Sequence, residues 1–303
     1  MLGAGGQTEG AYQSVEQRRR ALDDLAGWTS GERPAVAQVR DTALPGPGGL
    51  IPVRVYTPAD APAAVLAGMV FLHGGGWVAG GLETHDGVCR RLANASLCHV
   101  IAVDYRLAPE HPFPAALEDA RAVLEAVANR AEAFGVDPAR LGVAGDSAGA
   151  GLAAALCQIA RENGPPIAFQ LLICPILDVF DESPSRIALA EGYFLSRSTL
   201  ERDLELYGPA PEDRADPRLS PLRARDLANL PPAFIHTAEF DPFRDEGHAY
   251  ARRLAKAGVA VSEVCHPGMI HYFYAMPRVI AHAEAALSQM GDEIAGAVGG
   301  PLD

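Results

Sequence analysis

Hydrophobic and polar positions follow one pattern before residue 67 and another pattern after it. Residues 11–28 carry the spacing of an amphipathic helix. Residues 36–43 and 51–56 alternate apolar and polar positions, and a glycine- and proline-rich stretch at 44–52 joins them. This pattern predicts an antiparallel hairpin with its turn in that stretch.

From residue 67 onward, short apolar runs alternate with longer helix-like segments. Six runs rich in Val, Ile and Leu are typical of buried parallel strands: 67–74, 98–105, 140–147, 169–176, 232–239 and 259–265. Helix-like segments separate most of them, at 84–96, 115–134, 148–163, 243–257 and 278–295. Because strand and helix alternate, the sequence predicts one α/β domain with a mostly parallel, doubly wound, eight-stranded sheet.

Two segments do not fit this alternation. One covers about residues 1–35, and the other covers about residues 179–225. Aromatic residues and leucines recur at 191–209, so the second segment has the composition of packed structure. Ligands of α/β sheets bind at the carboxyl ends of the strands. We therefore expect the two segments to form a cap over that edge.

Composition excludes several classes of protein. The chain is 49% hydrophobic and 21% charged, as in globular proteins, and its formal net charge of −13 argues against nucleic acid as a partner. No apolar run approaches the roughly 18 residues of a membrane span, and MLGAGGQTEG does not resemble a signal peptide. The five cysteines are scattered, without a CxxC pair. These features predict a cytoplasmic protein without a membrane span.

Ser147 lies between two glycines in VAGDSAG, where a predicted strand ends and a predicted helix begins. A strand that turns so sharply into a helix leaves no room for side chains beside the serine, which explains Gly145 and Gly149. A serine in this turn has a strained backbone, and the free amides of the helix favour a developing oxyanion. An ordinary glycine-rich turn is the alternative interpretation.

A second glycine motif, HGGGW at 73–77, follows the predicted strand at 67–74. Successive glycines expose backbone N–H groups and allow a carbonyl oxygen to approach closely. In serine hydrolases such a loop forms an oxyanion hole together with the serine turn. A glycine-rich turn without a function is again the alternative.

A nucleophilic serine needs a base, which in this architecture follows the last strand. Of nine histidines, His266 and His271 meet this condition. We favour His271, because it lies further from the strand end and has room to reach back to the serine. His266 precedes Pro267 and is expected to face solvent.

The acid that orients the base should follow an earlier strand. Asp178 follows one predicted strand, and Glu239 and Asp241 follow the next. We favour Asp241, although its position before Pro242 and a helix also suits an N-cap. Asp178 remains a rival. The order serine, aspartate, histidine is the one expected for an α/β-hydrolase.

Six motifs together identify a family. They are HGGGW (73–77), DYRLAPEHPFPAALED (104–119), GDSAG (145–149), EGYFL (191–195), DPFRDEG (241–247) and GMIHYF (268–273). In these motifs the chain resembles the hormone-sensitive-lipase-like family of α/β-hydrolases, the bacterial family IV esterases. The resemblance implies the α/β-hydrolase fold with a helical cap.

The resemblance also implies roles for individual residues. Ser147 would be the nucleophile, His271 the base and Asp241 the orienting acid. The backbone amides of Gly75, Gly76 and Ala148 would form the oxyanion hole. Candidate substrate-binding residues are Gly74, Trp77, Asp146, Tyr193, Phe194, Leu195 and Tyr272. For Tyr193, Phe194 and Leu195, a place in the core of the cap is an equal alternative.

Two positions depart from the family pattern. Ala150 stands where a second glycine is usual after GDSAG, and Tyr272 stands where glycine usually follows the catalytic histidine. Ala150 adds only one methyl group near the start of the helix. Tyr272 adds a bulky ring that could narrow the pocket or donate a hydrogen bond.

We expect a carboxylic ester hydrolase that acts on short-chain acyl esters through an acyl-enzyme. Amidase, carbamate hydrolase and acyl transferase activity use the same triad and remain alternatives, and a non-catalytic ligand-binding receptor is a remote one. No metal or organic cofactor is implied. The expected partner is a small-molecule ester, and a homodimer is possible.

Overall fold

The computed structural model describes residues 14–180, 182–210 and 212–299. The first 13 residues of the predicted cap, including the start of the predicted helix at 11–28, lie outside these ranges. The strands of the described chain are β1 (Gln38–Gly46), β2 (Gly49–Thr57), β3 (Leu66–Leu72), β4 (His99–Val103), β5 (Val136–Asp146), β6 (Gln170–Ile173), β7 (Ala233–Phe240) and β8 (Val261–Ile270).

These strands form one eight-stranded sheet in the order β1-β2-β4-β3-β5-β6-β7-β8. β2 pairs antiparallel with both β1 and β4, and all remaining pairs are parallel. The central strands β3 and β4 are buried along their whole length, since helices cover both faces of the sheet. The predicted eight-stranded, mostly parallel sheet is confirmed.

Helices separate the parallel strands and also occupy the two predicted cap segments. They are α1 (Val15–Thr29), α2 (Leu82–Ser96), α3 (Ala115–Asn129), α4 (Ala131–Phe134), α5 (Ala148–Asn163), α6 (Pro184–Ala188), α7 (Arg197–Tyr207), α8 (Arg244–Lys256) and α9 (His282–Val298). Short 3-10 helices lie at Asp213–Ala215, Pro221–Arg223 and Phe273–Ala275. Within the described ranges, no helix has the length and apolar character needed to cross a membrane.

Some element bounds differ from those that the sequence predicted. The helix predicted at 115–134 is interrupted at Arg130, whose φ of −127° and ψ of 33° lie outside the helical region. The strand predicted at 259–265 continues to Ile270, which pairs with Phe240 after an irregularity in the register. β8 is an edge strand, and Pro267 lies in the irregular stretch between the paired residues His266 and Ile270, where a missing N–H group is tolerated.

The candidate catalytic residues lie at the carboxyl ends of strands of this sheet. β5 ends at Asp146, directly before Ser147. β7 ends at Phe240, directly before Asp241, and β8 ends at Ile270, directly before His271. Because these strands are parallel members of one sheet, their carboxyl ends converge on the same region.

Candidate active site

Ser147 occupies the sharp turn between β5 and α5. Its φ of 54° and ψ of −120° lie in a region that side chains rarely adopt. Its N–H donates to the Ile173 carbonyl at 2.8 Å, which ties the turn to the neighbouring strand. A Cβ atom on Gly149 would collide with the Leu72 carbonyl, and one on Gly145 would lie 2.5 Å from the Gly149 carbonyl oxygen. The backbone crowding predicted for the two glycines is therefore present.

His271 and Asp241 meet Ser147 in a continuous hydrogen-bonded row. His271 Nε2 lies 3.0 Å from Ser147 Oγ, and His271 Nδ1 lies 2.8 Å from Asp241 Oδ2. The other carboxylate oxygen of Asp241 accepts the Phe243 N–H at 2.8 Å, and the Phe243 ring meets the imidazole edge-on at 5.2 Å. All three members of the row are buried. The carboxylate and the ring thus fix the orientation of the imidazole.

The rival acids have other partners. Asp178 binds the Arg223 guanidinium at 2.8 Å, and it also accepts the Phe180 N–H at 2.9 Å. Glu239 Oε2 accepts the Gly268 N–H at 2.7 Å. Asp241 is therefore the carboxylate that the structure places against His271.

The expectation that His266 faces solvent is wrong. Only 1% of the residue is exposed, because β8 continues past it and keeps this position on the buried face of the strand. Its ring nitrogens lie 3.0 Å from His236 Nδ1 and 2.9 Å from His282 Nε2. Burial lowers the pKa of His266 to about 4, as expected for an imidazole held neutral between two others.

The glycine loop after β3 faces the serine turn. Gly75 and Gly76 have φ values of 123° and 64°, so both need the conformational freedom of glycine. The Gly75 carbonyl accepts the N–H groups of Val78 at 3.2 Å and Ala79 at 3.0 Å, which closes a tight turn. On the other side, Ala148 is the first residue of α5, so its N–H has no acceptor within the helix.

Asp146 joins the glycine loop to the serine turn. One of its oxygens accepts the Gly74 N–H at 2.9 Å, and the other accepts the Tyr274 hydroxyl at 2.8 Å and lies 3.3 Å from His85 Nε2. Burial alone would raise the pKa of Asp146, but His85 and the Tyr274 hydrogen bond hold it below the ordinary value. A buried, ionised Asp146 therefore positions the loop relative to Ser147.

The cavity above Ser147 has a volume of about 380 Å³. It is lined by Arg18, Ala21, Leu22, Leu25, Gly75, Gly76, Asp146, Ser147, Ile176, Phe194, Leu195, Thr199, Leu200, Asp203, His271 and Tyr272. The lining combines the site residues with side chains of α1, of α7 and of the loop before α7. Phe194, Leu195 and Tyr272 are among the residues that line this cavity.

Three candidate pocket residues lie elsewhere. Trp77 is buried against the Tyr207 ring, with ring centroids 4.6 Å apart, and Tyr193 stacks on Phe240 at 5.4 Å. Gly74 lies beneath the cavity, where a Cβ atom would collide with the Asp146 carboxylate. The expectation that Trp77 and Tyr193 contact the pocket is therefore corrected. Their rings stack on Tyr207 and Phe240, outside the lining of the cavity.

Sequence reasoning missed several residues of the cavity. Arg18 on α1 and Asp203 on α7 form an ion pair in its wall, with Nη2 and Oδ2 3.1 Å apart. These residues are separated by 185 positions, and neither belongs to a motif. Leu22 and Leu200 were detectable only as apolar positions of amphipathic helices, without a signal that they face a ligand.

One group of side chains has the donor atoms of a metal site. Cys174, Asp241 and His271 are all buried, and their ligand atoms lie within 4.8 Å of one another. Burial raises the pKa of the Cys174 thiol well above its ordinary value, and the neighbouring Asp241 carboxylate adds to this effect. Since metals bind the thiolate, a thiol held protonated is poorly suited as a ligand.

Comparisons with known proteins give concordant results. A family model described as the α/β-hydrolase fold matches residues 69–275. The chain is 44% identical over 236 residues to the carboxylic ester hydrolase LipN of Mycobacterium tuberculosis, a match that covers 74% of this chain but only 61% of LipN. It is 40% identical over 278 residues to the ethyl acetate hydrolase of Pseudomonas putida, covering 90% of this chain and 87% of that one.

A solved structure is similar over nearly the whole chain. It is an ester hydrolase from the metagenome of Lake Arreo, in complex with a bipyridine phosphonate derivative. The two folds superpose with a TM-score of 0.92 at 45% sequence identity, covering 94% of this chain and 91% of the other.

Proposed function

Because the chain belongs to the hormone-sensitive-lipase-like branch of the α/β-hydrolase fold family, as its motifs predicted, we propose that it hydrolyses carboxylic esters. The nucleophile is Ser147, the general base is His271 and the orienting acid is Asp241. The observation that carries this proposal is the row Ser147 Oγ–His271 Nε2–His271 Nδ1–Asp241 Oδ2, with contacts of 3.0 and 2.8 Å. Both distances lie within the range over which a proton can be transferred or an imidazole oriented.

In the first half of the reaction, His271 removes the proton of the Ser147 hydroxyl while Oγ attacks the ester carbonyl carbon. Collapse of the tetrahedral intermediate breaks the bond to the alkoxy oxygen, which leaves as an alcohol with the proton carried by His271. The acyl group remains on Ser147. Asp241 stays ionised and stabilises the imidazolium that forms meanwhile.

The oxyanion of the intermediate is bound by the amides of Gly75, Gly76 and Ala148. The positive φ angles of Gly75 and Gly76, and the place of Ala148 at the start of α5, support this assignment. Each such donor contributes roughly 3–4 kcal/mol to the stability of the transition state. Asp146 supports the hole by holding Gly74 in place.

In the second half, water repeats the attack on the acyl-enzyme. His271 takes a proton from the water molecule, the tetrahedral intermediate forms again, and Ser147 leaves with the returned proton. The carboxylic acid product is released, and the free enzyme is restored. Every proton that His271 accepts is thus passed on within the same half-reaction.

We propose short-chain acyl esters as the substrates. The cavity of about 380 Å³ is near the lower end of the 300–1,000 Å³ typical of small-molecule sites, which favours small esters. Helix α1 and residues 179–225 form the cap in this account, since side chains of α1 and α7 line the cavity above Ser147. Pocket contacts are assigned to Phe194, Leu195 and Tyr272, and the possible homodimer remains a prediction.

The test is steady-state hydrolysis of p-nitrophenyl acetate, butyrate and octanoate by the wild type and by single variants. Ser147→Ala and His271→Ala are expected to lower kcat at least about 10³-fold, and Asp241→Asn at least about 10²-fold. Asp178→Asn is the matched control and should retain kcat within a few-fold. If Asp178→Asn were the crippling change, the acid would be misassigned. Equal rates from wild type and Ser147→Ala would end the proposal.

A further inference from the structure

Helices α1 and α7 both contact the glycine loop after β3. We call it the oxyanion loop, because it carries the proposed Gly75 and Gly76 donors. On α7, the Tyr207 ring stacks on Trp77 with centroids 4.6 Å apart. On α1, the Arg19 guanidinium donates to the Val78 carbonyl at 2.9 Å. Both helices therefore contact the loop directly, and neither merely covers the cavity.

A charged group of α7 also packs against this loop. A Cβ atom added to Gly76 would overlap the carboxylate of Asp203, so the carboxylate packs against the bare Cα atom of Gly76. Only 2% of the Asp203 side chain is exposed, and the residue also lines the cavity above Ser147. A buried negative charge therefore lies beside the loop whose amides are proposed to bind the oxyanion of the transition state.

An unneutralised carboxylate at this place would oppose catalysis. Like charges a few ångströms apart repel strongly in a site from which water is largely excluded. The repulsion would act mainly on the transition state, because the ester itself is uncharged. Such a site needs a cation close to Asp203.

Arg18 of α1 supplies a cation at this place. Its Nε lies 3.3 Å from both carboxylate oxygens of Asp203, and its Nη2 lies 3.1 Å from Oδ2. The Arg18 side chain is 15% exposed and faces the same cavity. The pair thus joins the N-terminal helix to the second cap segment across the pocket.

We propose that Arg18 is a positioning residue of the oxyanion hole. By pairing with Asp203, it neutralises the carboxylate beside Gly76 and holds that carboxylate against the loop. Helix α1 thereby completes the active site when it packs on α7. This inference rests on the proposed esterase function and adds a charge requirement to it.

The test separates charge from packing with a double-mutant cycle. The variants are Arg18→Met, Asp203→Asn and the double variant, with Arg20→Met as the matched control. Arg20 is exposed on the same helix, so Arg20→Met makes the same change of net charge away from the cavity. Kinetics on p-nitrophenyl acetate are normalised to the active sites titrated with an organophosphonate.

Arg18→Met is expected to lower kcat by about 30-fold or more with a change in KM below about threefold, since the Asp203 carboxylate loses the guanidinium paired with it and repels the negative charge of the transition state. Arg20→Met should stay within about threefold of wild type, and Asp203→Asn, which removes the buried negative charge, should lose less kcat than Arg18→Met. The double variant should recover kcat to within about tenfold of wild type. Affinity for a trifluoromethyl ketone, which forms an oxyanion on Ser147, should fall in step with kcat in Arg18→Met.

Two results would overturn the inference. One is a kcat for Arg18→Met within about threefold of wild type, and the other is a double variant as impaired as Arg18→Met, which would indicate packing alone. Arg18→Gln serves as a second charge-removing variant if Arg18→Met does not fold. Failure of the esterase proposal itself gives a different pattern, in which wild type and Ser147→Ala hydrolyse the ester at equal rates.

Discussion

Tyr272 offers a test of the packing around the site that does not depend on catalysis. Tyr272 is 5% exposed. Its ring stacks on the Phe194 ring with centroids 6.0 Å apart, and it meets the His85 ring edge-on with centroids 5.9 Å apart. The Tyr272 hydroxyl is buried, and none of the residues that the structure describes offers it a hydrogen bond. The substitution Tyr272→Phe removes this oxygen and keeps the ring.

We expect Tyr272→Phe to stabilise the protein. A buried polar group without a partner costs about 1–3 kcal/mol of desolvation, and Phe removes most of that cost while leaving a very small void. For Tyr272→Phe we therefore expect the free energy of unfolding to rise by about 1–2 kcal/mol, in the lower part of this range. With an unfolding entropy of about 2.1 cal/mol/K per residue, the 303-residue chain has roughly 0.6 kcal/mol/K in total. The expected rise in Tm is therefore about 2–3 °C.

The assay is urea unfolding followed by circular dichroism, together with thermal unfolding of the same samples. Tyr274→Phe is the matched control, because the Tyr274 hydroxyl donates to Asp146 at 2.8 Å and its loss leaves a buried carboxylate short of one donor. Tyr274→Phe should lower the free energy of unfolding by about 1.5–3 kcal/mol. A Tyr272→Phe variant that is less stable than wild type by 1 kcal/mol or more would refute the reasoning, since the hydroxyl would then have a stabilising partner.

Two further predictions concern the loop and the response to acid. Gly76→Ala should lower kcat at least about 100-fold, because its φ of 64° strains any side chain and the new methyl group displaces Asp203. Gly258→Ala is the control, because its φ of 83° gives the same backbone strain while nothing lies within 4 Å of the added carbon. Equal losses of kcat in the two variants would contradict the argument. Burial lowers the pKa of both His73 and His266 from 6.5 to about 4. Between these values the unfolded chain binds more protons at these two histidines than the folded one. Their two contributions outnumber the opposite one of Glu246, whose pKa burial raises to about 7, so the free energy of unfolding should fall as the pH drops from about 6.5 towards 4. Urea midpoints measured across this range check the sign, and His266→Gln should flatten the dependence; an unchanged slope would exclude His266 as a source.

The parts of the fold that the sequence predicted well are those with strong local signals. Buried parallel strands such as β3 and β4 are continuous apolar runs, so the sequence predicted them as buried strands of a parallel sheet. The glycines beside Ser147 follow from a local steric requirement, and so does their position between a strand and a helix. Asp241 was located because it lies shortly after the predicted strand at 232–239, and His271 because it lies beyond the last predicted strand, at 259–265, with room to reach back to the serine.

Other features depend on contacts between distant segments. Whether His266 is buried depends on how far β8 extends, and that is set by its pairing with β7 up to Phe240. The placement of Trp77 depends on the Tyr207 ring of α7, which lies in a segment with no regular alternation. The Arg18–Asp203 pair forms only when α1 and α7 pack across the cavity. No periodicity or motif in a single sequence carries such information.

The central claim is that Ser147 carries the acyl group during turnover, and covalent labelling tests it most directly. The protein is treated with an organophosphonate ester, and the intact mass and the peptide masses are then measured. We expect one adduct per chain, located on the peptide that contains Ser147, and loss of ester hydrolysis in proportion to labelling. Ser147→Ala should take up no label. An adduct on another residue, or full hydrolytic activity in the stoichiometrically labelled protein, would contradict the account.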